Sequence, residues 1–362
     1  MLYYAVSELQ PNVEGADAIQ KTIAEQFFKA DSTLNGNYDY SYFDYAEMKG
    51  KRNQIPYQQD AAAGHAYVLY SAYQKFGDPR YLEGAKSAIE ALLSQKESRF
   101  YEVLMPFGAY VAARLNAEQG TNYDVSKILD WTFDGCTAEK GRTGWGIIAD
   151  RWGDYDVSGI QGSLTQDGGY GFLMNTFDMA WPLVPMVRYD QEYARSIGKW
   201  MLNAANSSRL FYPYEIPDRN QYLPENKSIT RNVIAYEGLK KVDAYNTEEF
   251  KGVSPVALGD GPNWVVSQPK LSMFSIYGSA HAGIFGSIIR KTNVEKILQL
   301  DCLATDFYKN ESYPTYLYFN PYDEVKKIDY SSEQGVDLYD IVSGKLVAEK
   351  IFGKGSFSIE GN

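Results

Sequence analysis

The feature that most constrains this chain is a helical period that is repeatedly stopped and restarted by turn chemistry. The stretch KFGDPRYLEGAKSAIEALL shows how. Residues 59–76 place Ala61, His65, Val68, Ala72 and Phe76 on one stripe of a 3.6-residue period. Gly77 then ends that helix, Asp78 caps the next, and Pro79 occupies a first turn where a missing N–H costs nothing. Leu82, Ala85, Ile89 and Leu92 or Leu93 repeat the stripe, so the stretch predicts a tight αα-hairpin. The same reasoning predicts helices over 16–30, 103–118, 124–135, 172–188, 190–206, 231–241, 278–290 and 293–301. The last opens on TNVE, a capping box with Thr292 at the cap and Glu295 three residues on. Ten helices make a mainly α body over 1–303. From about residue 304 to 362 the period falls to two, in TYLYFN, EVKKIDY, GVDLYDIV, KLVAEKIF and SFSIEG, with VSGK as a two-residue hairpin turn. Five such strands are too few to stand alone, which predicts a small antiparallel β domain packed on the helices.

Between the helices lie long connections, 31–58, 137–171, 207–230 and 242–277, and connections of that length in compact domains form binding surfaces. They are rich in tyrosine. The chain holds 31 Tyr, 17 Phe and 6 Trp, rings that combine a flat apolar face with a polar edge and so suit a groove for sugar, although a Tyr-rich helical core fits the same counts. A net charge of -11 without any basic run argues against a nucleic-acid partner. No apolar run reaches the length of a membrane span. Two cysteines, Cys136 and Cys302, each expected within a helix, and two histidines, His65 and His281, support neither a disulfide framework nor a metal centre, and no cofactor is called for.

The chemistry-bearing residues concentrate in three stretches. In TQDGGYGFLMNTFDMAW, Asp167 precedes glycines that permit a sharp turn and a close approach to ligand; an N-cap or Asx-turn is the structural alternative. Asp178 lies among apolar neighbours before Pro182, where desolvation raises a carboxyl toward the range of a general acid; its alternative is a buried Asp–Arg pair. Tyr170 and Trp181 flank the two as substrate contacts. In RLFYPYEIPDRNQYLPEN, Glu215 and Asp218 stand between Tyr212, Tyr214, Arg219 and Tyr222, stiffened by two prolines; the alternative is a solvated loop that merely caps two helices. In GWGIIADRWGDYD, Trp145 and Trp152 offer stacking platforms, with Arg151 and Asp154 for hydroxyls. His281, with Tyr277 one turn earlier, is either a lyase-type pair or core packing; Asp60 at the start of a helix and His65 on its stripe read as structural.

The hairpins with their Gly77-Asp78-Pro79-Arg80-Tyr81 connector, the aromatic loops GGYGF and LFYPYEIPDRNQY, and the terminal β unit together resemble the six-hairpin glycosidase superfamily over residues 16–303, at the level of architecture. That resemblance implies an α/α toroid with a cleft at one end and a glycan held between a carboxylic acid and a carboxylate base. Ten helices rather than twelve depart from its pattern. It implies an inverting glycoside hydrolase using two of Asp167, Asp178 and Glu215, for which the carboxyls should stand roughly 6.5 to 9.5 Å apart; about 5 to 5.5 Å would imply retention. A polysaccharide lyase and a non-catalytic glycan-binding protein are the alternatives. Such a protein is expected outside the cytoplasm, its export signal lying outside these residues. The cleft is expected from 137–171 and 207–230, not from the turn at 77–79.

Overall fold

The computed structural model describes residues 1–53, 57–134, 144–165, 168–212, 214–221, 235–242, 250–258 and 277–361, with side chains in the last range from residue 280 onward. Nine helices occur among them: α1 Leu2–Leu9, α2 Ala16–Leu34, α3 Ala61–Phe76, α4 Pro79–Leu93, α5 Met105–Gln119, α6 Val125–Phe133, α7 Leu173–Met186, α8 Ala194–Ser207 and α9 Tyr277–Ile288. The αα-hairpin forms as its turn chemistry requires. Gly77 takes φ +69° to end α3, and the Asp78 carboxylate accepts the Arg80 N–H at 2.9 Å to start α4.

α3, α5 and α7 pack side by side and run parallel. Asp60 meets Tyr101 where α3 and α5 begin, Tyr70 meets Glu118 where they end, and Phe107 packs on Trp181 with ring centroids 5.2 Å apart. Every residue of α5 from Met105 to Leu115 is buried, and α7 is buried along nearly its whole length; α4 and α6 bury one stripe each and face outward. Pro182 and Pro185 lie inside α7, which continues through both.

The mainly α toroid is not what the chain forms. With 42% helix and 21% strand it is a mixed α/β protein, and the described residues form five small antiparallel sheets and no toroid. Two expected helices account for part of the difference. Within 231–241, Gly238–Lys240 is a strand. Within 293–301, the Thr292 hydroxyl accepts the Val294 N–H at 3.1 Å and donates to the Ile297 carbonyl at 2.7 Å, which closes a turn instead of capping a helix. Leu298–Asp301 is thereby laid against Ile289–Lys291 as a strand pair.

The long connections also carry strands. β1 (Tyr42–Asp44) and β2 (Lys49–Lys51) form a hairpin in 31–58. β3 (Trp145–Ile147), β4 (Arg151–Trp152), β5 (Tyr155–Asp156), β6 (Gln161–Ser163), β7 (Tyr170–Phe172), β8 (Gly238–Lys240) and β9 (Val256–Leu258) follow, and β3-β6-β7-β8-β9 make one five-stranded sheet at the start of α7. Gly146, Gly162 and Gly171 stand in register across three of its strands. A side chain at Gly162 would collide with the Tyr170 carbonyl, and one at Gly171 would sit 2.6 Å from Ile160. These glycines let the sheet close against its own core.

Toward the end of the chain, β10 (Ile289–Lys291), β11 (Leu298–Asp301) and β12 (Tyr316–Leu317) form a three-stranded sheet. The remaining expected strands merge into one ribbon, β13 (Lys326–Asp340) with β14 (Lys345–Ile359), bent by register shifts near Ser332, Val336 and Leu338. Its loop spans four residues, 341–344, rather than two.

Candidate functional site

Of the residues singled out in the sequence, the structure brings Asp178 and His281 together. They lie on α7 and α9, each more than nine-tenths buried, with His281 Nδ1 2.6 Å from Asp178 Oδ1. Beside them the rings of Phe177 and Phe285 stack at 4.6 Å. Burial pushes the Asp178 carboxyl above the usual carboxylate range, and the hydrogen bond to His281 pulls partly back. The partner of this buried Asp is a histidine, not the arginine of the structural alternative.

Other nominated residues fall elsewhere. Asp167 lies outside the described residues. The glycines after it do allow a close approach, but to the protein's own indole: Gly169, at φ +140°, would place a Cβ 2.6 Å from the Trp152 ring. Trp152 is fully buried and donates from Nε1 to Asp150 at 3.2 Å; Trp181 and Trp145 are buried as well, the first among Tyr67, Phe107 and Phe307. None of the three presents an open face to solvent: the glycine-rich loop folds Trp145 and Trp152 inward, and Trp181 sits on α7 inside the helix layer. Glu215 pairs with Arg209 at 2.9 Å, and both are exposed. Tyr214 and Arg219 are exposed nearby, while Tyr212 is half-buried. Arg151 donates to the backbone of Asp154 at 2.7 Å. Cys302 is buried in a turn after β11 rather than in a helix, and burial pushes its thiol up to about 12; Cys136 is outside the described residues. Tyr170 is half-buried on β7, beside Phe172 at 5.7 Å.

A different group forms where α3, α5 and α7 begin. The Asp60 carboxylate accepts the Tyr101 N–H at 2.9 Å and ties the connection before α5 to the start of α3. The Tyr101 ring packs on Trp145 at 5.5 Å, and Trp145 on Phe172 at 6.4 Å, so an aromatic tract runs from that connection into the sheet. Next to Tyr101 stands Glu102, a non-glycine residue at φ +62°. A left-handed conformation costs a glutamate roughly 1–2 kcal/mol, and Asn35, Met48, Lys296, Tyr308 and Lys350 are the other non-glycine residues at positive φ among the described residues. Desolvation raises the Glu102 carboxyl, with a hydrogen bond from Tyr101 opposing it. On the same end a polar cleft of about 300 Å³ is lined by Asn37, Tyr38, Gln59, Gln95, Lys96 and Arg99. It belongs to the connection 31–58 and the one between α4 and α5, not to 137–171 or 207–230, and it lies at the end of the α3/α4 hairpin opposite the turn at 77–79.

Sequence reasoning missed Glu102. Glutamate has no preference for left-handed backbone, and YEVLMP reads only as the approach to a helix with Pro106 in its first turn. Comparison of the chain with protein-family models, with curated proteins and with solved structures finds no match. Among the described residues no three ligand-type side chains are grouped to hold a metal ion, and no helix is long and apolar enough to cross a membrane.

Proposed function

We propose that the protein is a glycoside hydrolase acting on a poly- or oligosaccharide, with Glu102 as its general acid. The observation that carries this reading is the combination at Glu102: a carboxyl raised by burial, held in a strained backbone, at the end of the helix layer that also bears the polar cleft. A raised carboxyl keeps its proton near neutrality and can pass it to a glycosidic oxygen as the bond breaks. The second carboxylate, which activates water, is Asp167, placed in sequence directly before the strand that leads into α7. Asp178 is set aside for this role because its carboxylate is committed to His281 in the core. The same pair weighs against the lyase reading, since a proton-abstracting His281 would have to leave that bond and its burial. A carbohydrate partner outside the cytoplasm and not a nucleic acid is part of the proposal, consistent with the net charge of -11.

The test is a glycan library assayed in parallel for new reducing ends and for unsaturated products absorbing at about 235 nm, with Glu102→Gln and Asp167→Asn beside the native protein. Loss of an acid or base costs about 10² to 10⁴ in rate. We expect reducing ends without unsaturation, and a loss of that size in both variants with unchanged melting. Unsaturated products, or full activity in Glu102→Gln, would overturn the reading.

A further inference from the structure

Beside the polar cleft, and sharing Tyr38 with it, lies a second cavity of about 150 Å³. Its walls come from the β1–β2 hairpin and the segment before it on one side, and from the end of α2 and the start of α3 on the other. Tyr40, Tyr42 and Phe43 supply rings, and Ser41, Gln58 and His65 supply polar groups. The wall is locally built to fit. Gly50 on β2 lies against the face of Tyr40, and any side chain there would strike that ring. Tyr38 is fixed from behind by its hydroxyl, which donates to Asp31 at 2.6 Å.

His65 is the anomaly in this wall. It is 6% exposed, with Phe27 at 4.7 Å and Tyr38 at 5.2 Å from its ring, and its Nδ1 is buried with no hydrogen-bond partner among the described residues. Buried polar atoms in folded proteins nearly always find a partner, so an imidazole left without one in the wall of a cavity points to a ligand that supplies it. None of the described wall residues carries a charge, and Arg52, stacked outside on Tyr40 and Tyr57, is paired with Asp39 at 3.1 Å. A cavity near 150 Å³ accommodates about one six-membered ring. Aromatic walls suit the C–H faces of such a ring, while Ser41, Gln58 and an uncharged imidazole suit its hydroxyls.

We propose that this cavity is a binding site for one neutral pyranose ring, with His65 as its polar contact and Gln58 at its rim. The inference rests on the carbohydrate reading above and narrows it: the ring held here is uncharged, so glycans built only of uronates are not substrates. Burial depresses the imidazole to about 4, so it stays neutral and offers one donor and one acceptor across the working pH range.

The experiment uses the full chain and simple, non-hydrolysed probes: the methyl glycosides of glucose, galactose, mannose and xylose, and methyl glucuronide as the charged control. Long-range ¹H–¹⁵N spectra report the ring nitrogens of the two histidines separately. At millimolar concentrations, the range for one ring held by a few contacts, at least one neutral glycoside should shift the nitrogens of His65 and leave those of His281 in place. The glucuronide should shift neither. His65→Phe should abolish binding, and because that buried variant can fail to fold, Gln58→Ala at the rim should weaken binding at least about three-fold with the fold intact. Absence of any shift at His65, an equal response to the glucuronide, or unchanged binding in Gln58→Ala overturns the site. The outcome is separable from that of the hydrolase proposal: binding at His65 with full activity in Glu102→Gln removes the assigned acid and keeps the pyranose site.

Discussion

The two ends of the α3–α5–α7 layer are built on opposite principles. Where the helices end, charges are buried and matched. Asp306, fully buried, accepts from Tyr110 at 2.5 Å and from Tyr189 at 3.0 Å, and pairs with Arg188. Arg114, equally buried, holds Glu118 at 3.1 Å, donates to the Phe307 and Tyr308 carbonyls at 3.2 Å, and lies over the rings of Tyr70, Tyr110 and Tyr189. Where the helices begin, side-chain amides and an imidazole carry buried atoms that lack partners among the described residues: both polar atoms of the buried Gln161 and Asn175, Oε1 of the half-buried Gln95 and Nδ1 of His65. One end is finished as a core and fastens the 301–312 segment to the helices. The other holds strain and unmet hydrogen-bonding capacity, which is what a protein retains where something else is to bind.

The largest expected effect breaks the finished end. Arg114→Leu leaves Asp306 and Glu118 buried with fewer counter-charges, and removing one partner from a buried ionic network costs about 3–5 kcal/mol. Urea unfolding should show that loss; a cost below about 1 kcal/mol would mean the network does not hold this end.

A smaller effect, of similar order, sharpens the other end through pH. An unfolded histidine titrates near 6.5, while the folded His65 is depressed to about 4. The unfolded chain therefore binds the proton first, so stability from this group is full above about pH 6.5 and is lost as pH falls toward 4, by roughly 3 kcal/mol from linkage. Asp178 and Glu102 carry the opposite sign. Their contribution is full below the ordinary carboxylate values of about 4 and is lost as pH rises through their raised folded values. His65→Phe should remove the acid limb from stability measured against pH. An unchanged limb would place the titration elsewhere.

The smallest expected effect separates strain from packing. Glu102→Gly removes a side chain from a left-handed position and should raise stability by up to about 1 kcal/mol, the strain relieved less the added freedom of the unfolded glycine. Activity should vanish with it. A variant that is destabilised instead would show that the Glu102 side chain is there for packing.

Local chemistry was legible in the sequence wherever neighbours along the chain decide the outcome. Gly77, Asp78 and Pro79 fix the α3/α4 turn through one dihedral, one cap and one absent donor, and the 3.6-residue stripe locates α2 through α9 to within a few residues. Thr292 was read as a cap because its hydroxyl was bound to meet nearby backbone. It does so, but in a turn, and only β10 waiting alongside decides that Leu298–Asp301 is a strand. The same limit explains the sheet in the long connections, since β3, β6, β7, β8 and β9 are each three residues long and exist only through their pairing, which for β7 and β8 joins segments distant in sequence. It explains the tryptophans too: composition supplies rings, and folding decides whether their faces meet solvent or, as for Trp152, a glycine of the same chain. Asp178 announced itself by apolar neighbours on its own helix, whereas its partner His281, the left-handed turn at Glu102 and the unpartnered nitrogen of His65 arise from contacts between elements, which no stretch of sequence contains.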